Sequence, residues 1–359
     1  MAAYHVLMLE RRNNQVLELS KQTGSRQNLF KTAEAHYRFK PGGGRWGGIN
    51  DAKYRQFGNK KHLLIACQGG GVGLFPVDYR FNGRTPGQTP SSIPTTYDTY
   101  FNAGAAGTPH GVELIPAHGN LGVVIAVACP KQVIASGTGV IQFWMRNDAG
   151  NWAKVHQRQM PSAHALLWDS QNNRLWAGGD SCLQSFEITK VGNGLSSTKE
   201  ADFDSSPGNG NIKAVVHDIQ PDYRDSKFLL FVDGCGARRV AYGGNAPGGG
   251  HPAFENEAVY WRSEMEGEYP NNRPDDDRRN FKSFCRIAGA SGETFWILSA
   301  GAYHEKPPGK KPYEGRTSFE CYDLQFGPPT GGQVGTKHHP TSRKTLSFYK
   351  ARTIKTSYI

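Results

Sequence analysis

No apolar run in this sequence approaches the roughly 20 residues that a membrane-spanning helix needs, so a soluble chain with no membrane partner is expected. Nor does a helical period of apolar residues persist for long, which argues against a helical bundle; Asn28 to Phe39, NLFKTAEAHYRF, is the segment expected to hold a short helix. Cysteine is scarce, six in 359 residues with no Cys-x-x-Cys pair, and this excludes a disulfide scaffold and a zinc ribbon. The net charge of +11 favours an anionic partner, yet the basic residues are scattered and no nucleic-acid-binding motif is present. A nucleic-acid partner is therefore not expected, whereas an acidic sugar suits the charge. The N-terminal MAAYHVLMLERRNNQVLELS meets Glu10, Arg11 and Arg12 before a signal-peptide core is complete, and looks instead like two strands around an Asn-Asn turn. The expected compartment is extracellular if a signal peptide has been removed, and cytoplasmic otherwise.

What the sequence has in quantity is glycine, 44 residues, and proline, 21, against a hydrophobic content of 37%, the composition of many short strands and turns. Pro161 to Ile188, PSAHALLWDSQNNRLWAGGDSCLQSFEI, reads as two short antiparallel strands joined by a polar turn at Asn172-Asn173, with His164 at the entry of the first. The scheme recurs upstream in TPHGVELIPAHGNLGVVIAVAC, with His110 and Cys129, and downstream in AVVHDIQPDYRDSKFLLFVDGC, with His217 and Cys235. The three histidines are 54 and 53 residues apart, and Cys129, Cys182 and Cys235 follow 53 and 53 apart. Two weaker copies extend the series: NDAKYRQFGNKKHLLIACQGGG, with Asp51, Lys53 and Cys67, and NFKSFCRIAGASGETFWILSAG, with Lys282 at its entry. Cys67, Cys129, Cys182 and Cys235 are expected at one buried, small, apolar position per repeat.

Repeats of three or four short strands at this period describe propeller blades, each burying its faces against its neighbours. The expected fold class is all-β, a single β-propeller domain over 1–359 with six blades, seven being the alternative. Five blades fall near 45–107, 108–150, 161–195, 211–265 and 281–350. The sixth would combine ARTIKTSYI at the C-terminus with YHVLMLERRNNQVLELS at the N-terminus, closing the ring with strands from both chain ends. Long insertions are expected near 81–107 and 243–280, lengths that favour functional loops.

The first strand of each blade lines the channel of a propeller, so residues at its entry converge on one mouth. His110, His164 and His217 are expected there, with Lys53 and Lys282 from flanking blades. Converging imidazoles suit general acid–base work or, alternatively, one divalent metal at the mouth, with His110, His164 and His217 as ligands. Lysines would hold a carboxylate and stabilise charge developing on it. Together these suit β-elimination of a uronic acid, in which a base removes the C5 proton, cations stabilise the enolate, and an acid protonates the leaving oxygen at C4. No Asp/Glu pair stands out as a glycosidase requires. Asp51, Glu113 and Asp218 fit as orienters of His or Lys. The expected partner is an acidic oligo- or polysaccharide, taken by a monomeric chain that requires no cofactor or the one divalent metal.

DAKYR, PHGVELIP, AHALLWD, VHDIQPD and KSF, spread over roughly residues 45–290, look like the channel-lining motifs of a family of microbial propeller proteins. The pattern is also similar to that of β-propeller polysaccharide lyases, including those cleaving L-rhamnose-α-1,4-D-glucuronate ends of plant gums. The resemblance implies a His base or a His-held metal together with a basic carboxylate-binding residue. By position it carries over to His110, His164, His217, Lys53 and Lys282, with Arg238 and Arg239 as candidate arginines; Asp51, Trp46 and Tyr303 complete the candidate substrate contacts.

Other classes compete. A sugar-binding or scaffold propeller would use the same fold with an aromatic shelf drawn from Trp46, Trp144, Trp168 and Tyr303, although Trp168 and Trp176 sit on strands and read as core. A WD-type interaction propeller is disfavoured because the dipeptide occurs once, at Trp168-Asp169. A metal-dependent hydrolase or lactonase is disfavoured because such sites lean on carboxylates. PGGGRWGG and QGGGVG do not open a helix after a strand, as a nucleotide loop must, and read as tight turns.

Overall fold

The computed structural model describes residues 3–10, 14–22, 37–41, 44–77, 100–102, 108–130, 139–180, 182–204, 215–223, 227–233, 236–241, 255–256, 281–288, 294–300, 323–327, 337–338 and 348–354. These residues form an all-β, propeller-like arrangement of four-stranded antiparallel sheets. The first in chain order holds β1 (Ala3–Glu10), β2 (Gln15–Gln22) and β3 (Tyr37–Phe39), and is completed by the last strand of the chain, β24 (Phe348–Thr353), which pairs with β1. The next sheets are β4 (Ile49–Phe57) to β7 (Tyr100–Asn102), by way of β5 (Lys60–Cys67) and β6 (Gly71–Pro76), and β8 (Gly111–Ile115) to β11 (Trp152–Gln159), by way of β9 (Val124–Cys129) and β10 (Val140–Arg146). Two more run from β12 (Ala165–Asp169) through β13 (Arg174–Gly179) and β14 (Cys182–Val191) to β15 (Gly194–Asp204), and from β16 (Asp218–Pro221) through β17 (Phe228–Asp233) and β18 (Gly236–Ala241) to β19 (Glu255–Asn256). The last comprises β20 (Phe281–Ala288), β21 (Thr294–Ala300), β22 (Asp323–Gly327) and β23 (Lys337–His338).

The apolar runs explain how the sheets stack. A strand places successive side chains on opposite faces, so a strand buried on both faces must be apolar throughout. On β5, Leu63 and Ile65 face the cluster of Leu7, Val16 and Tyr54, while Leu64 and Ala66 face Val112, Leu114 and Val127. On β9, Ile125 and Val127 continue that second cluster, and Val124 and Ala126 enter the next, around Phe143, Trp168 and Phe186. Trp176 and Leu167 then join Ile219 and Phe231. Each layer is thus shared by two consecutive sheets, and emptying one Leu position costs roughly 2–5 kcal/mol.

The first strands pack side by side in the order β4, β8, β12, β16, β20 and β24, and β24 also packs on β4. Side chains bridge them in matching register: Asp51 Oδ2 accepts the Val112 amide at 3.0 Å, and Ser283 Oγ accepts the Ala351 amide at 2.8 Å.

Several sequence expectations shift. Tyr37–Phe39, placed in the short helix, is a strand because it completes the ladder on β2, and 28–36 lies outside the described residues. The C-terminal strand is Phe348–Thr353 rather than the segment from Ala351 to Ile359. The insertions near 81–107 and 243–280 contain the fourth strands of their sheets, β7 and β19, and most of the remainder lies outside the described residues. Cys67 and Cys129 occupy the expected buried position at the end of a second strand, but Cys182 does not: Gly179 takes that place, and Cys182 opens the third strand. A Cβ on Gly179 would collide with the Pro161 carbonyl oxygen, which forbids a side chain there. Cys235 lies outside the described residues. Among those residues, no helix is long and apolar enough to cross a membrane.

Candidate functional site

His110, His164 and His217 each immediately precede a first strand, and each amide makes the same bond to the second strand of its own sheet. His110 donates to Ala128, His164 to Gly178 and His217 to Val232, all at 2.8 Å. The three side chains therefore leave the backbone at one level in three consecutive sheets. Their rings touch: His110 and His164 centroids are 4.7 Å apart at 64°, and His164 and His217 are 5.4 Å apart at 83°. Gly111 permits this approach, because a Cβ there would stand 2.5 Å from the His164 carbonyl oxygen.

Two of the rings are held by the turns that precede them. His110 Nδ1 donates to the Thr108 carbonyl at 3.0 Å and His164 Nδ1 to the Ser162 carbonyl at 2.6 Å. A carbonyl only accepts, so Nδ1 carries the proton and Nε2 is the basic nitrogen in the neutral rings. Ser162 adopts a left-handed φ of 48°, uncommon for a residue with a Cβ, and this aims its carbonyl at the imidazole. Asn50 Nδ2 donates to the Pro109 carbonyl at 2.7 Å and so pins the residue before His110.

The ladder registers identify the matching positions elsewhere. β4 and β20 each carry a bulge at their entry, between Ile49 and Asp51 and between Phe281 and Ser283, which places Asn50 and Lys282 opposite the histidine level. On β24 the same reasoning gives Tyr349, next to the bulge region opposite Met8 and Glu10. Lys282 thus has the expected backbone position, while its side chain lies outside the described residues.

Lys53 does not stand at this level. It lies three residues further along β4 than Asn50, 2% exposed, where its ammonium meets Glu113 Oε2 at 3.1 Å and donates to the Leu166 carbonyl at 2.5 Å. Arg55 clamps the same carboxylate through Nε at 2.7 Å and Nη2 at 2.8 Å. Asp51 is fully buried and bound by Arg352 Nη2 at 2.7 Å, and the same nitrogen reaches Asp218 Oδ1 across to β16. Lys350 stands 3.9 Å and 3.8 Å from these two carboxylates. Burial pulls the Lys53 ammonium down to about 8 against the attraction of Glu113 and Asp51, and pulls Lys350 down as well. For Asp51 and Glu113 burial works upward but is outweighed by the neighbouring cations, Arg352, Lys350 and Lys53 for the former and Arg55 and Lys53 for the latter, so both carboxyls lie below their usual range. Asp51 and Lys53 are accordingly members of a buried ionic layer rather than substrate contacts at the strand entry.

The remaining candidates separate. Trp46 is 9% exposed and packs at 5.6 Å on Phe75, a core position rather than a sugar shelf. Arg238 and Arg239 lie on β18, a third strand, away from the entry of the first strands. Trp168 and Trp176 are core, as expected, and Tyr303 lies outside the described residues. Among the described residues no group of three or more His, Cys, Asp or Glu is gathered as a metal-ligand set.

No protein-family model matches this sequence, and no curated protein matches it. Solved structures similar to it include a functionally unknown protein from Desulfotomaculum acetoxidans, 10% identical, covering 93% of this chain and 95% of that one with a TM-score of 0.47. A protein from Lactobacillus plantarum, also 10% identical with a TM-score of 0.47, covers 99% of this chain and 100% of that one. Sqt1 from Chaetomium thermophilum is 13% identical over 82% of this chain and 64% of that one, TM-score 0.47.

Proposed function

We propose that the chain is one β-propeller domain of six blades, closed by β24 against β1, and that its histidine-bearing mouth is a lyase site for a glucuronate-containing glycan. Support for the ring comes from the side-by-side order of the first strands, with β24 packed on both β20 and β4. The observation that carries the site is the set of three histidines at one register level in consecutive sheets, their rings in contact and two of them held with Nε2 as the basic nitrogen. In the proposed reaction one Nε2 removes the proton at C5 of the uronate. The electron pair passes into the carboxylate-stabilised enolate and then forms the C4–C5 double bond as the C4–O bond breaks. A second imidazole, protonated, supplies a proton to the leaving oxygen. With Lys53 withdrawn into ion pairs, Lys282 is the residue proposed to hold the uronate carboxylate.

The withdrawal of Lys53 also favours a second reading, a propeller that binds an acidic glycan without cleaving it, since fewer cations stand at the strand entry to stabilise an enolate. Incubation with a panel of uronate-containing glycans, followed by ultraviolet absorbance of a 4,5-unsaturated uronate, separates the two. New absorbance supports the lyase; binding with no absorbance across the panel leaves the binding propeller.

A further inference from the structure

Two consecutive residues of β4 reach across to the backbone on either side of His110. Asn50, fully buried, donates through Nδ2 to the Pro109 carbonyl at 2.7 Å, and Asp51 Oδ2 accepts the Val112 amide at 3.0 Å. A carbonyl only accepts, so the amide nitrogen of Asn50 must face Pro109, and this leaves Asn50 Oδ1 buried with no hydrogen-bond partner among the described residues. Native interiors match nearly all such atoms, because an unmatched buried acceptor lowers stability, and an exception calls for a role beyond packing. The next two sheets do not repeat the arrangement. At the register of Asn50, His110 and His164 turn back onto Thr108 and Ser162 of their own turns. At the register of Asp51 stand Gly111 and Ala165, which carry no side-chain acceptor. Ser283 on β20 accepts the Ala351 amide as Asp51 accepts that of Val112, so this contact belongs to the packing of first strands in general. The Asn50 bond, among the described residues, is made only at the entry of β8.

We propose that Asn50 is a positioning residue for His110: by fixing the Pro109 carbonyl it holds the turn whose Thr108 carbonyl accepts from His110 Nδ1, and so keeps Nε2 as the basic nitrogen of a ring with one fixed direction. Thr108, Pro109 and His110 are consecutive, so a Pro109 peptide released from Asn50 can rotate and carry the Thr108 acceptor away from the imidazole. Asp51, bound by Arg352 Nη2 at 2.7 Å, holds the far side of the histidine through Val112 and ties it to the buried ionic layer. His110 is thereby the imidazole held for removal of the C5 proton. That role rests on the lyase reading, whereas the positioning of the ring does not.

Histidine-ring nitrogen spectra of the full chain, labelled with nitrogen-15, test this without a ligand. In the wild type, His110 should show a protonated Nδ1 whose proton is protected from solvent exchange. Asn50→Leu keeps the side-chain volume close while removing both the donor and the unmatched oxygen. In that variant the His110 Nδ1 proton should exchange at least about tenfold faster and the ring should populate both tautomers, with the His217 resonances unchanged. A folded Asn50→Leu whose His110 ring matches the wild type overturns the proposal, because a merely structural loss would lower stability and leave the folded ring as it was. If Asn50→Leu does not fold, the wild type decides: the Asn50 side-chain amide and the His110 Nδ1 proton should both be protected, and free exchange of either overturns the proposal. On a glycan that the wild type cleaves, Asn50→Leu should lower kcat by about 10–100-fold with KM near the wild-type value, the scale of misplacing a reacting group by about 1 Å. Unchanged kcat contradicts the proposal. A wild type silent on every uronate glycan removes the lyase reading alone, since the ring spectra still decide the role of Asn50.

Discussion

Glu113→Gln changes one oxygen to an amide without changing side-chain volume, and it removes the carboxylate on which two buried cations close. Glu113 receives Lys53 at 3.1 Å and Arg55 at 2.7 and 2.8 Å, all within a fully buried setting. Breaking a buried ion pair by neutralising one partner typically costs about 3–5 kcal/mol, because the surviving charge stays desolvated. Here two ammonium or guanidinium groups survive. Lys53→Met differs in kind: it leaves Glu113 with its bidentate Arg55, so its cost should be near that of one charge-assisted hydrogen bond, about 1.5–3 kcal/mol. With an unfolding entropy of about 2.1 cal/mol/K per residue, the 359-residue chain converts 3–5 kcal/mol into a midpoint drop of about 4–7 °C. Reversible urea unfolding of both variants, read by circular dichroism and by the fluorescence of buried Trp168 and Trp176, gives the comparison. If Glu113→Gln is neutral within error, or is milder than Lys53→Met, the account of the ionic layer is wrong.

Three further outcomes follow from named contacts. Asp51 and Glu113 have carboxyls held below the usual range in the folded state, so the unfolded chain binds more protons in acid; their contribution is complete above about pH 5 and is lost as pH falls through the folded values. The urea midpoint should therefore drop steadily from pH 5 towards pH 3, and a flat profile over that interval would sink the assignment. Gly111→Ala places a Cβ 2.5 Å from the His164 carbonyl oxygen and should separate the first two histidines while destabilising the fold by about 1–3 kcal/mol, measured by denaturation and by histidine ring resonances. Unchanged His110 and His164 resonances in that variant argue against the close approach. Burial pushes the Cys129 thiol up to about 12 and the Cys67 thiol higher still, so both should resist alkylation in the native state and react on unfolding, as mapped by peptide mass spectrometry. Prompt native labelling of either contradicts their burial.

The histidine level was legible in the sequence because each histidine directly precedes a first strand, and spacings of 54 and 53 kept that relation. The cysteine series misled through hairpin length. β8 and β9 are joined by the eight residues Pro116–Val123, β12 and β13 by the four residues Ser170–Asn173, so an equal interval lands on Gly179 only after the difference is removed. The same effect placed Lys53 at the entry, where the ladder puts Asn50. The ionic layer was missed although it left a trace: Asp51, Lys53 and Arg55 alternate along β4, as do Lys350 and Arg352 along β24, charges at strand period amid apolar neighbours. Opposite charges on facing strands could have been matched from that pattern. What no single sequence supplies is which first strands come near one another in the fold, and this decides that Arg352 meets both Asp51 and Asp218.

The central proposal is that the three histidines perform chemistry at the strand entry, and the most direct measurement is turnover and binding in parallel for the wild type, His110→Ala, His164→Ala and His217→Ala on a uronate-containing glycan that the wild type binds. A histidine acting as general base or acid contributes about 10²–10⁴-fold in rate, so at least one variant should lose that much product formation, seen as ultraviolet absorbance of the unsaturated uronate, while glycan affinity stays near the wild-type value. His110, pinned by Asn50 through Pro109 and oriented by Thr108, is expected to show the largest loss. Wild-type turnover persisting in all three variants, or a wild type that binds the glycan and never releases an unsaturated product, would contradict the account.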